Sequence, residues 1–248
     1  MTATVKNLVE QEEWDSFFAD FQPKVVTKVK FADLFSKFLK PDPRKRMLEI
    51  GCSGGKFLCY LAKTFQFQPY GLDFSRGLEG TRATFRVNGL AEPILFEQDL
   101  FTWQTEERFD LVCSFGFVEH FDDFPAVLRR HADLVAPGGM LIFSMPHFAH
   151  LQYVFHWLID RENLRRHNTK IMNLAAIRRA FSGLPFTIQY LSYYHTFYFR
   201  TSKTELKLWE KIVEQLIRRG GRRLRKTIGQ NRPNFLVSPE IICVASRD

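Results

Sequence analysis

The stretch with the most chemical content runs from Met47-Leu-Glu-Ile-Gly51 into Cys52-Ser-Gly-Gly-Lys56 and Phe57. An apolar strand passes there into small residues and then into a helix. Small residues let the backbone approach a ligand closely, and the helix N-terminus adds a favourable dipole. A nucleotide-like cofactor is what such a loop serves. Residue type excludes two common versions. A dinucleotide-binding G-x-G-x-x-G would place its third glycine at Lys56. A P-loop would need Gly at Ile50 and Ser or Thr at Phe57. What remains is an acid, Glu49, followed by Gly51 and a small-residue turn, with a second acid, Asp73, closing the next strand in Gly71-Leu-Asp-Phe-Ser75. An acid at that strand end can accept both hydroxyl protons of a ribose.

Positioning these residues takes an alternation of strands and helices. Short apolar runs predict strands at 46–51, 68–73, 93–99, 109–115, 139–145, 186–195 and 239–246. Helical patterns lie between the first five, at 55–65, 75–88, a short piece near 101–107, and 122–135. Pro137-Gly138-Gly139 reads as a helix stop and turn. The expected fold class is α/β: a seven-stranded, mainly parallel, doubly wound sheet with helices on both faces, an antiparallel last strand and helical cap inserts. One domain is expected over 1–248, made of an N-terminal helical cap (1–45), a cofactor-binding core (46–146), a cap insert (147–170) and a basic helical insert (201–234). In the first cap, Trp14, Phe17, Phe18 and Phe21 follow helical spacing. In the last insert Leu206, Trp209, Val213 and Leu216 share a helical face, and the run that follows is broken by glycines.

The ordered marks resemble a class I S-adenosylmethionine-dependent methyltransferase, of the small-molecule group that includes ubiquinone-type O-methyltransferases. Beside Glu49 to Gly55 and Asp73 they are Gln98-Asp99-Leu100, the strand Phe109 to Phe115, Val118-Glu-His-Phe121, and Leu134 to Phe143 with its Pro-Gly-Gly. The resemblance is firm over 46–146 and weaker beyond. It implies S-adenosyl-L-methionine as cofactor, with Glu49, Gly51, Cys52, Ser53 and Gly55 around the methionine moiety. Asp73 and Phe74 would meet the ribose side, Asp99 and the Leu100 amide the adenine, and Ser114 and Phe115 the floor beneath the sulfonium. One position departs from the family pattern: Ser53 stands where the middle glycine of E-x-G-x-G-x-G is expected.

Methyl transfer from a sulfonium is an in-line displacement with an activated donor, so the protein chiefly aligns nucleophile and methyl. A hydroxyl oxygen is the expected nucleophile, with nitrogen or carbon as alternatives. His120, after the fourth strand at the carboxyl edge, is the leading general base. His147, closing the fifth strand in Ser144-Met-Pro-His147, is the runner-up. His150, His156, His167 and His195 read as surface or core histidines. No metal is expected: a set of Glu119, Asp122 and Asp123 is conceivable, but the two aspartates read first as helix N-cap and first-turn acids. Phe117, Tyr153 and Tyr194 are the expected substrate contacts, within an aromatic cap formed by 147–170 and the N-terminal face. That cap favours an apolar or aromatic-bearing acceptor over a bare sugar.

Charge bears on the acceptor. The 248 residues carry a formal net charge of +8. The segment 200–248 holds 12 Lys and Arg against 5 Asp and Glu, so the preceding chain is nearly neutral. An ordinary composition, 45% hydrophobic and 25% charged, argues against disordered and membrane-spanning classes. Cys52, Cys59, Cys113 and Cys243 form no metal-binding spacing, and the first residues lack a signal-peptide apolar core. A cytoplasmic location is therefore expected. The basic run Arg218 to Lys226 allows an anionic or carrier-bound small-molecule acceptor, or peripheral contact with an anionic membrane. Nucleic acid is disfavoured as acceptor, because Ser114-Phe-Gly-Phe117 replaces the Asn/Asp-Pro-Pro-Tyr/Phe motif. A non-catalytic anion-binding adaptor is the alternative from another class.

Overall fold

The computed structural model describes residues 5–248. Seven strands form one sheet: β1 (Arg46–Ile50), β2 (Gln68–Asp73), β3 (Ile94–Glu97), β4 (Phe109–Phe115), β5 (Val135–Pro146), β6 (Phe186–Tyr194) and β7 (Glu240–Arg247). Their order is β3-β2-β1-β4-β5-β7-β6, with β7 antiparallel to both neighbours and the other pairings parallel. The order in which strands are added reverses between β1 and β4, which leaves a crevice at the carboxyl ends of those parallel strands.

Both faces of the sheet are covered, and the alternation along each strand says how. Leu48, Val112, Leu141 and Phe143 face α5 (Phe124–Leu134) and α8 (Leu174–Ala180). Met47, Leu111, Cys113 and Ile142 face the opposite layer, made by α2 (Ala32–Phe38), α3 (Lys56–Phe65) and α4 (Leu78–Val87). Near-continuous apolar strands of this kind require cover on both sides. A third, smaller core lies outside the sheet, where Ile159, Phe197 and Phe199 pack with Val213, Ile217 and Leu224. It joins α6 (His150–Ile159) to α9 (Leu208–Ile228); α7 (Arg161–Arg165) follows α6 directly.

Four expectations are corrected. The N-terminal cap is two short helices, α1 (Gln11–Phe18) and α2, separated by extended chain after Pro23, a residue that cannot continue α1. No helix forms over 101–107. Asp99 Oδ1 accepts the amides of Phe101 and Thr102 in a turn, and Trp103 buries itself against Phe96, 4.9 Å between ring centroids. The glycines of the basic insert do not break it: α9 runs through Gly220 and Gly221. A Cβ on Gly221 would lie 1.9 Å from Phe197, so glycine lets this aromatic ring lie on the helix backbone. Pro137-Gly138-Gly139 bulges out of β5 rather than preceding it, since Val135 already pairs with Phe109 and Met140 with Leu111.

Candidate active site

A cavity of about 250 Å³ opens where β1, β2 and β4 end. Glu49 lies on its wall, buried, with Oε2 lacking any hydrogen-bond partner among the described residues. Burial is the main reason its pKa rises from the ordinary 4.5 to about 8; nearby Asp73 pushes the same way and the Leu58 amide opposes. Beyond it, Gly51 turns with φ +77°, and a Cβ there would come 2.7 Å from the Phe117 ring. Close packing of loop against ring therefore needs glycine. Asp73 is held in place by two amides, Oδ2 accepting from Ser53 and Oδ1 from Ser75, both at 2.9 Å. Each oxygen keeps a lone pair for a further donor. Ser53 contributes its hydroxyl to Ser75 at 2.8 Å, so the serine in the glycine position fastens the loop to β2.

A small adjoining pocket carries Asp99, Leu100, Phe74 and Phe117, which also places an acid at the end of β3. Three carboxylates, one orphaned and two with spare acceptor capacity, thus lie along one crevice. A ligand with an ammonium group, ribose hydroxyls and an aromatic amine fits that donor–acceptor order. α1 closes the crevice from above: Trp14 and Phe18 line it, and Gln11 donates to the Phe74 carbonyl at 2.8 Å.

Other expected cofactor contacts have structural jobs. The Cys52 side chain is buried against Gly71, where a Cβ would meet Sγ at 2.5 Å, and its carbonyl accepts from Thr81. Gly55 faces α4, where a Cβ would meet Thr81 at 2.8 Å. Ser114 points away from the crevice and donates to His131 Nε2 at 3.1 Å, since His131 Nδ1 is committed to the Val127 carbonyl. Phe115 does reach the cavity, stacked on Phe57 with centroids 4.1 Å apart.

A second cavity of about 620 Å³ meets the first at Lys56 and Phe57. Its basic lining comprises Lys30, Lys56, Arg200 and Arg225, with Glu240 ion-paired to Lys30. Gln152 and His156 of α6 form part of the wall, so the 147–170 insert does cover a cleft. Two expected substrate contacts lie elsewhere. Tyr153 is on the outer face of α6, and Tyr194 is buried with its hydroxyl donating to Asp33 at 2.6 Å. Phe117 lines the first cavity.

His120 lines the first cavity, in a short helical turn (Val118–His120) that β4 leads into. In the Nδ1–H tautomer it donates to the Arg166 carbonyl at 2.8 Å and keeps a lone pair on Nε2, which lies 4.0 Å from Glu119 Oε1, with the Gly116 carbonyl also close to the ring. Burial, followed by neighbouring His167, lowers its pKa from 6.5 to about 3. Glu119 beside it is buried, with Oε2 unpartnered and a pKa raised by burial to about 8. Glu119, His120 and His167 bring one ligand atom each within 4.8 Å of one another, a donor set of the type divalent transition metals accept. Asp122 and Asp123 do not join it. Asp123 caps α5 by accepting the Ala126 amide, and Asp122 accepts the Lys6 amide.

His147 lines neither cavity. It is wholly buried, with Nδ1–H donating to Ser238 at 2.8 Å and the ring against Tyr193, so the expected catalytic role has no access to support it. Sequence reasoning in turn missed Lys56 and Phe57 as the junction of the cavities, and Asn7, Lys30 and Arg225 as lining. Lys56 and Phe57 were within reach, being the first residues of the helix after the loop. Asn7 and Lys30 come from distant segments with no motif to mark them, whereas Arg225 belongs to the basic run 218–226 that the sequence does single out.

A model of the methyltransferase domain family matches residues 26–191. Ubiquinone biosynthesis O-methyltransferase of Neisseria meningitidis serogroup C is 33% identical over 105 residues, covering 40% of this chain and 43% of that one. Trans-aconitate 2-methyltransferase of Methylobacterium radiotolerans is 30% identical over 136 residues, covering 52% and 50%. The chain thus spans about half the length of the curated relatives it matches. Among solved structures, a SAM-dependent methyltransferase of Thiobacillus denitrificans in complex with S-adenosyl-L-homocysteine superposes with a TM-score of 0.61 over 97% of this chain and 99% of that one, at 14% identity. The fold, the crevice at the sheet's reversal and a family match over most of the chain agree, and the protein belongs to the class I S-adenosylmethionine-dependent methyltransferases.

Proposed function

We propose that this chain transfers a methyl group from S-adenosyl-L-methionine to a hydroxyl oxygen of an anionic small molecule. The observation that carries the reading is the row of carboxylates at the strand ends, above all the buried, unpartnered Oε2 of Glu49. A buried carboxylate without a partner is costly, and an ammonium group is the partner that removes the cost. Glu49 would take the amino group of the methionine moiety, Asp73 the ribose hydroxyls and Asp99 the adenine amine. When bound, the cofactor supplies a methyl group activated toward displacement.

The chain's own residues do the rest. Trp14, Phe18 and Phe57 exclude water from the crevice, and Phe115 stacked on Phe57 holds the edge at which the two cavities meet. The acceptor occupies the larger cavity, where Lys30, Lys56, Arg200 and Arg225 favour a negatively charged molecule. Where the acceptor hydroxyl reaches past Phe57 into the first cavity, His120, which lines that cavity, receives its proton. A base whose conjugate acid has a pKa of about 3 cannot generate an alkoxide beforehand at neutral pH. Once the new carbon–oxygen bond forms, the oxygen is a far stronger acid than imidazolium, and an Nε2 lone pair on the Nδ1–H tautomer can take its proton.

Calorimetric titration with S-adenosylhomocysteine tests the cofactor assignment. Saturable heat with the wild-type chain, weakened roughly tenfold or more in Asp73→Ala, supports it; no heat and no thermal shift overturn it. For the base, His120→Ala should lower turnover about a hundredfold on a hydroxyl acceptor while leaving S-adenosylhomocysteine affinity nearly unchanged. Unchanged turnover would remove His120 from the mechanism.

A further inference from the structure

The acceptor side carries a surface that methyl transfer does not use. α6 is two-faced. Gln152, His156 and Ile159 are buried, whereas Leu151, Val154 and Trp157 stand exposed on its outer side. α9 repeats the pattern. Val213, Ile217 and Leu224 pack toward the satellite core, while Leu208, Trp209, Ile212 and Leu216 lie outward, Leu208 77% exposed and Leu216 60%. The two outer faces adjoin, since Leu158 of α6 and Trp209 of α9 line one surface cleft. From His150 to Ile159 there is no Asp, Glu, Lys or Arg. Contiguous exposed apolar surface of this kind marks an interaction site.

Charge identifies what covers it. The second half of α9 holds Arg218, Arg219, Arg222, Arg223, Arg225 and Lys226 and no acid. A cavity of about 350 Å³ lies between four of these arginines and the Phe197–Phe199 segment, with no carboxylate in its lining. Arg218 pairs with Glu214, and Arg225 donates to the Phe197 carbonyl. Arg219 and Arg222 have no ion-pair partner among the described residues. Gly221 makes this arrangement, because only a residue without Cβ lets Phe197 sit flush on α9 among the guanidiniums. Exposed tryptophan and aliphatic side chains beside a run of arginines combine the two attractions, apolar burial and attraction to anionic lipid, that hold helices at a lipid interface. The apolar chains enter the acyl boundary and guanidiniums bind phosphate oxygens in pairs. A second copy of the chain would offer the same arginines and no acids at that end to meet them.

We propose that the outer face of α6 and α9 docks on an anionic phospholipid surface, with headgroup phosphate seated in the arginine-lined cavity. No described helix is long and apolar enough to cross a membrane, so the contact is peripheral.

Co-sedimentation of the full chain with vesicles tests this, using phosphatidylcholine alone or mixed with phosphatidylglycerol. The wild-type chain should bind the mixed vesicles, with a blue shift of tryptophan emission and loss of binding at high salt. Arg219→Ser with Arg222→Ser should weaken partitioning about 25-fold, or about fivefold for each arginine near an anionic leaflet. Trp157→Ser with Leu216→Ser should weaken it at least as much, and unchanged circular dichroism and S-adenosylhomocysteine binding would show both variants folded. Three results overturn the proposal. One is absence of binding to mixed vesicles. Another is saturation of the arginine cavity by inorganic pyrophosphate without vesicle binding, which would make the ligand a soluble phosphorylated molecule. The third is a dimer in sedimentation velocity that Trp157→Ser with Leu216→Ser dissociates. In each case heat on S-adenosylhomocysteine titration would persist, so the methyl-transfer reading stands or falls separately.

Discussion

The two halves of the crevice are built in different ways. The cofactor side is local: Glu49, Gly51 and Ser53 follow β1 directly, Asp73 closes β2 and Asp99 follows β3, so each functional group sits at a strand end beside its neighbour in the sheet. The proposed acceptor side is assembled from Lys30, Lys56, Gln152, Arg200, Arg225 and Glu240, which span most of the chain. In the proposed reading the sheet holds the cofactor, while α6 and α9 supply part of the acceptor side. The family match stops at residue 191, before α9 begins.

If the halves are separable, damage to one should spare the other. The largest expected effect is that of Asp73→Ala, which removes the proposed ribose acceptor and the anchor of the Ser53 amide. Titration calorimetry should show S-adenosylhomocysteine affinity reduced roughly tenfold to a hundredfold, while vesicle binding is unchanged. Loss of both would join the halves. Next, Gly221→Val forces a side chain into Phe197 and should destabilise the chain by about 1–3 kcal/mol, seen as a lower Tm, with cofactor affinity intact.

A smaller effect separates the halves by pH. Burial leads the lowering of His120 to about 3 and of His131, His156 and His167 to about 4, so these groups bind protons more readily in the unfolded chain. Their contribution to stability is lost as pH falls from about 6.5 toward 3–4. Glu49 and Glu119, raised to about 8, bind protons more readily in the folded chain, and their contribution is lost as pH rises from 4.5 through 8. Thermal unfolding of the ligand-free chain should peak near neutral pH and decline on both sides. Glu49→Gln should flatten the alkaline decline, whereas an unchanged slope would mean that Glu49 is ionised without a ligand. The smallest effect expected is that of Ser53→Gly, which removes one hydroxyl contact to Ser75 and should change cofactor affinity by less than about fivefold.

The same contrast explains what the chain reveals before it is folded. All seven strands and the carboxylates at their ends are legible, because period, turn residues and acid spacing are properties of short segments. Ser114 was misread for a local reason: strand alternation sets it on the α5 face, where His131 accepts its hydroxyl, while Phe115 faces the cavity. Tyr194 and His147 sit at the ends of strands pointing toward the cleft, yet their partners Asp33 and Ser238 come from segments remote in sequence. The glycines of α9 look like breakers until Phe197 is seen against them.

The central claim is that the buried carboxylate of Glu49 awaits the ammonium group of the cofactor. A protonated Glu49 must release its proton when that cation arrives, because an adjacent positive charge favours the ionised form. Titration of the wild-type chain with S-adenosylhomocysteine near pH 7, in buffers of different ionisation enthalpy, measures that release. The account predicts heats that differ between buffers, corresponding to roughly one proton released per ligand bound, and loss of the difference in Glu49→Gln. Binding without buffer dependence, or the same dependence in Glu49→Gln, would contradict it.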